Sequence, residues 1–135
     1  ITPASGFVGP GGGLIIGLSA GVVCYYATGY IKRTLKIDDS LDVFPVHGVG
    51  GILGTLLTGV FASNALGVFS GQEDIAIGAQ VSIQAIGILS AICYTAVVTY
   101  VILKVTDALV GNRVDQEDEM QGLDLVSHDE RGYDL

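Results

Sequence analysis

Charge is scarce in this sequence, and its gaps are long. Residues 1–31, 43–72 and 75–103 contain no Lys, Arg, Asp or Glu. Charged residues make up 15% of the 135 and hydrophobic ones 50%, whereas a soluble domain carries nearer a quarter charged. An ordinary water-soluble globule is therefore excluded. Basic residues are few, six against 14 acids. No basic patch exists to neutralise a phosphate backbone, so nucleic acid is excluded as a partner. There are two cysteines, Cys24 and Cys93, each inside a charge-free run. They read as small buried hydrophobes, without disulfide or metal role. The two histidines are far apart, and His128 sits beside Asp129 and Glu130 in a polar stretch. It reads as a solvated residue, and no metal or cofactor is expected.

What is present is apolar length. Each charge-free run exceeds the ~20 residues that cross a ~30 Å hydrocarbon core. The chain is read as an all-α integral membrane protein with three transmembrane helices, at about 11–31, 43–65 and 77–105, within a membrane portion spanning residues 1–110. Residues 111–135 hold eight acids against Arg113 and Arg131, a composition that buries no core alone. The first residue is Ile1 rather than Met, so the chain is expected to be the C-terminal piece of a longer protein, whose N-terminal remainder would be its partner.

Charge bias orients the helices. Lys32, Arg33 and Lys36 follow the first run, and Lys104 and Arg113 follow the third, while the 63–74 loop has neither Lys nor Arg. By the positive-inside rule the 32–42 loop and the tail are cytoplasmic and the 63–74 loop is external. Tyr25, Tyr26 and Tyr30 crowd the end of the first span, at the level where amphipathic rings settle. Pro10 suits a first helical turn. Gly13, Gly17 and Gly21 recur every four residues, which would let another helix approach closely.

His47 is the most informative residue. An ionisable imidazole in a membrane-grade run marks, by default, a substrate, ion or proton path. On a helix, His47, Gly50, Gly51, Gly54 and Thr58 share one face. Such small residues either bring a neighbour close or leave a narrow lumen beside the ring. Pro45 must lie near the helix start. With Asp42 as N-cap it takes the third helical position, where no intrahelical donor is needed, and the carboxylate faces the positive end of the helix dipole. Asp39 as cap would put Pro45 a turn deeper, so Asp42 is preferred. Both aspartates read as structural, through capping and through pairing with Lys32, Arg33 or Lys36. A start at Asp42 places His47 only about 7 Å along the axis at about 1.5 Å per residue.

The string from Asp38 to Ala62 resembles the signature around the second pore histidine of the ammonium transporter family. Asp38, Asp39, Asp42, Val43, Phe44, Val46, His47, Gly48, Val49 and Gly51 match that pattern, followed by Thr58, Gly59, Phe61 and Ala62. Pro45 departs from it, standing where the pattern has Gly. Ile1-Thr2-Pro3-Ala4 with Gly6 and Gly11-Gly12 is similar to the turn before the family's ninth helix, and Gly122-Leu123-Asp124 with Ser127-His128 to its bacterial C-terminus. The resemblance covers essentially the whole chain. It implies the ninth to eleventh helices of an eleven-helix ammonium transporter fold, a homotrimer with one pore per protomer, and a multi-pass position in the plasma (inner) membrane with a cytoplasmic C-terminus.

The same resemblance implies transport of ammonium, not an enzymatic activity. Ammonium would be deprotonated, and ammonia would pass through an apolar pore with a proton relay over paired histidines, of which His47 is one. Phe44, Gly50, Gly51 and Gly54 become pore-lining or close-packing candidates, with Asp39 and Asp42 capping at the cytoplasmic mouth. A PII signal protein is the implied partner of the tail. A neutral ammonia channel of the Rh type and an ammonium sensor are the alternative readings.

Overall fold

The computed structural model describes residues 2–63, 66 and 76–130. Among them there is no strand. The helices are α1 (Pro10–Tyr30), α2 (Gly50–Phe61), α3 (Ile77–Val110), α4 (Gln116–Gln121) and α5 (Leu123–His128), with a short 3₁₀ turn at Thr2–Ala4. Two stretches are wound as π-helix, Ile31–Leu35 continuing α1 and Phe44–Val49 leading into α2. Three continuous helical spans, Pro10–Leu35, Phe44–Phe61 and Ile77–Val110, are long and apolar enough to cross a membrane.

The chain divides into two compact units, Ile1–Ile92 and Cys93–Leu135. In the first unit the Thr2–Ala4 turn packs on α2, and α1 packs on both α2 and the π-helical segment before it. Small residues make this possible. Gly12 and Ile16 are buried on α1, and Gly50, Gly54, Thr58 and Gly59 on α2. A Cβ at Gly12 would come within 3.2 Å of Phe61, and one at Gly59 within 3.2 Å of the Val81 backbone. The threonine hydroxyls of α2 bond back into their own helix: Thr55 donates to Gly51 O (2.8 Å) and Thr58 to Gly54 O (2.7 Å). Such back-bonding leaves no free donor in apolar surroundings.

In the second unit the rest of α3 ends at Gly111, whose φ of +77° is a left-handed stop. Asn112 folds back to donate its side-chain amide to Leu103 O, and Lys104 lies 5.9 Å from the Tyr100 ring centroid. Beyond, α4 and α5 carry no buried residue, and Arg113 pairs with Glu119 at 2.9 Å.

The helix ends differ from expectation in ways that backbone chemistry explains. Polar side chains at 32–33 and 104–107 predict span ends, yet both helices run on. They stop where the backbone turns left-handed, at Lys36 (φ +53°) and Gly111. A long side chain reaches the interface without breaking its helix. At 34 residues, α3 is about 50 Å long, well beyond the ~30 Å core, so its polar end projects. The second helix begins at Val43 and its regular part closes at Phe61; residues 64 and 65 of the expected span lie outside the described residues. So do most of the 63–74 loop, with Glu73 and Asp74, and residues 131–135 of the tail. Cys93, expected to be buried, is exposed on α3, which buries none of its residues.

Candidate functional site

The site is built where the second helix starts. Asp42 adopts a left-handed backbone (φ +55°) and reverses the chain. Its carbonyl accepts the first helical bond, from Val46 N–H at 3.0 Å. Its carboxylate does not cap, contrary to the expectation from sequence. It faces back to Lys32 at 2.8 Å. The reversal instead swings Asp39 over the helix start, where Oδ1 accepts from Val43 N–H (2.9 Å) and Oδ2 from Phe44 N–H (2.8 Å). The bonds from Phe44 and Val43, with Lys32 nearby, hold the Asp39 carboxyl below its ordinary value of 3.8. Pro45 is the third residue of this helix and is fully buried; its missing N–H costs nothing there.

The six residues Phe44–Val49 form a π-helical turn around His47. Such turns are rare and recur at functional sites. The Phe44 ring covers Gly48, where a Cβ would sit 3.0 Å from Cδ2.

His47 is exposed on a cleft of about 550 Å³ between α1 and the second helix. One wall is Gly17, Ala20, Gly21 and Cys24 of α1; the other is Val46, His47, Gly50 and Gly51, with Thr2 and Pro3 at one side. Small residues on both walls leave the space, and His47 and Cys24 are the ionisable groups in it. The Cys24 thiol points to Val46 O at 3.9 Å, and a Cβ at Gly50 would come 3.0 Å from Cys24 Sγ. A Cβ at Gly51 would meet nothing within 4 Å.

The structure thus brings His47, Gly50 and Gly51 together and separates the other candidates. Gly54 is buried on the packed side of α2, and Phe44 is exposed outside the cleft lining. At Gly13 and Gly21 of the glycine stripe the helices do not touch. Gly13 and Gly21 have open space, and the close contact falls one residue away, at Gly12. The stripe instead turns Gly17 and Gly21 to the cleft. Sequence reasoning missed Cys24 as a wall residue. The available signal was its place seven residues beyond Gly17, which puts both on one helix face.

Comparison with known proteins adds a family. The model of the Ammonium Transporter Family matches residues 1–133. A relative in Methanothermobacter thermautotrophicus is 42% identical over 100% of this chain and 34% of its own length. Proteins named ammonium transporter in Aquifex aeolicus and Archaeoglobus fulgidus are 44% and 40% identical, over 100% and 98% of this chain and 31% and 34% of theirs. The chain spans about a third of the length of these relatives.

Proposed function

We infer from two facts, that the chain belongs to the Ammonium Transporter Family and that His47 faces a small-walled cleft between two membrane-length helices, that it forms part of a pore moving ammonium across a membrane. The cleft carries the reading, because an imidazole on an open apolar wall has no packing reason to be there. In this reading the chain supplies the ninth to eleventh helices and one histidine of a pair, the rest of the pore coming from the remainder of a longer protein.

The chemistry follows from charge. Ammonium is too costly to carry bare through hydrocarbon, whereas neutral ammonia is not. Deprotonation at the outer mouth lets ammonia enter alone. Neutral imidazole has one donor and one acceptor nitrogen, and titrates near neutrality. His47 therefore accepts a proton on one nitrogen and releases it from the other, passing it toward the cytoplasmic side where Asp39 and Lys32 hold the helix mouth. The 32–42 loop and the acidic tail lie on that side, in the plasma membrane, with three protomers assembling and a PII signal protein docking at the tail. Family membership supports the transport reading; the wall chemistry supports the relay. A neutral gas channel shares the same cleft and differs in carrying no current.

The test is a side chain that fills the cleft beside the imidazole and keeps His47 itself. Gly51 has open space around it, so Gly51→Leu is accommodated and projects into the cleft. Ammonium uptake by the full-length protein in proteoliposomes should fall at least tenfold with folding unchanged. Uptake at the parent rate would show that the cleft is not the path.

A further inference from the structure

The cleft at His47 holds a second donor group that has no part in the relay. Cys24 of α1 lies in the wall opposite the imidazole and is part-buried rather than packed away. Two neighbours place its sulfur. A Cβ at Gly50 would stand 3.0 Å from Sγ, and the Val46 carbonyl oxygen lies 3.9 Å from it. Val46 precedes His47 and Gly50 follows it on the same helix, so the sulfur sits over the turn that carries the imidazole. Helix positions three apart have Cβ atoms about 5–6 Å apart, which puts Sγ within about 9 Å of the His47 Cβ. The ring lines the same cleft and covers much of that distance. One ion bonded to both donors closes the rest, since its bonds to sulfur and nitrogen together reach about 4 Å. A thiol is a weak donor, so little is lost when its long contact to Val46 O is given up.

We propose that Cys24 and His47 together bind a soft monovalent cation of the Cu(I) class between α1 and the second helix, and that the bound ion stops the relay. The thiol gives up its proton to water. The thiolate sulfur then bonds the ion from one side and the unprotonated imidazole nitrogen bonds it from the other. One anionic ligand, one neutral ligand and one positive ion leave a site without net charge. That balance selects the occupant. A divalent ion on the same two donors would keep a full positive charge in apolar surroundings, which is costly. Calcium and magnesium take oxygen ligands, whereas a thiolate favours Cu(I). Among the described residues no third His, Cys, Asp or Glu joins the pair, which suits an ion content with two ligands and not zinc, which takes three or four from protein. The bound ion occupies the nitrogen that would accept a proton. The block therefore rests on the transport reading; the binding itself does not.

The experiment is an anaerobic titration of the detergent-solubilised full-length protein with Cu(I) against a chromogenic Cu(I) chelator, followed by X-ray absorption of the loaded protein. Cys24→Ser should bind one Cu(I) per chain fewer than the parent. His47→Gln should weaken that ion at least tenfold, because losing a direct ligand costs no less than the roughly 10–100-fold lost with an outer-shell partner. Cys93→Ser, outside the cleft lining, should leave its affinity unchanged. The ion lost in Cys24→Ser should show one sulfur and one nitrogen neighbour. In proteoliposomes Cu(I) should lower ammonium uptake by the parent at least tenfold and leave that of Cys24→Ser unaffected. Equal affinity in parent and His47→Gln, or a spectrum of sulfur neighbours alone, would overturn the proposal by reducing the site to a single thiol. So would a loss in Cys93→Ser equal to that in Cys24→Ser. If either cleft variant fails to fold, the spectrum of the parent decides. Binding through sulfur and nitrogen with undiminished uptake would overturn the block and take His47 off the transport path. Absence of uptake before copper is added would count against the transport reading and leave the binding result intact.

Discussion

Gly50 and Gly51 are neighbours in sequence with opposite surroundings, and this makes a sharp prediction. A methyl at Gly50 would stand 3.0 Å from Cys24 Sγ, about 0.5–1 Å inside a comfortable separation. Overpacking of that size costs about 1–3 kcal/mol. Alanine regains about 1 kcal/mol over glycine within a helix. Gly50→Ala is therefore expected to be destabilising by about 0–2 kcal/mol. With Cys24→Ala the sulfur is gone, only the propensity gain remains, and the same change should stabilise by about 1 kcal/mol. The coupling between the two sites is then about 1–3 kcal/mol. Gly51→Ala should stabilise equally in either background, because its methyl meets nothing within 4 Å. The assay is SDS-induced unfolding of the full-length protein in detergent, followed by circular dichroism, for the complete cycle. A Gly50→Ala increment that is the same with and without Cys24 would refute the proposed α1–α2 contact, and with it the register of the His47 cleft.

Other outcomes follow from the helix start and the loop. The Asp39 carboxyl is held below 3.8 by Phe44 N–H, Val43 N–H and Lys32. Its folded-state value being depressed, its contribution is present in full above the ordinary carboxylate range and is lost as pH falls through the lowered value. Unfolding midpoints should thus be flat in this contribution from neutrality to about pH 5 and decline below about pH 4, with a shallower acid decline in Asp39→Asn; identical slopes would remove Asp39 from the helix start. In a background with Cys24→Ala and Cys93→Ala, Ser40→Cys and Ser127→Cys should both react with an impermeant thiol reagent from the cytoplasmic side alone. Labelling from opposite sides would break the three-span topology.

The spans were readable because charge-free length is a one-dimensional property, and His47 because an ionisable group stands out in such a run. The details that shape the cleft were not. Capping by Asp39 depends on the left-handed turn at Asp42 (φ +55°), a conformation that is uncommon outside glycine, though less so for aspartate, and that residue spacing does not reveal. The sequence put the helix start after Asp42 and both aspartates at the mouth, but preferred Asp42 over Asp39 as the cap, since the residue before a helix is the usual acceptor of that bond. The glycine stripe at 13, 17 and 21 shares a face, as its spacing predicts, but α2 does not close on Gly13 or Gly21. Periodicity tells which residues share a side, but the neighbour's position decides what that side meets. The π-helical turn around His47 has no sequence signature beyond Pro45 and Gly48, and Cys24 entered the wall only when α1 was laid against it.

His47, in the function proposed above, relays a proton while ammonia passes beside it. The most direct measurement is the ammonium-induced current in proteoliposomes holding the full-length protein, read together with ammonia permeation, for the parent and for His47→Ala. A parent current that disappears in His47→Ala while ammonia still permeates is the predicted result. An undiminished current in the mutant would contradict the relay and leave His47 as a pore-shaping residue, and permeation without current in the parent itself would make the protein a neutral gas channel.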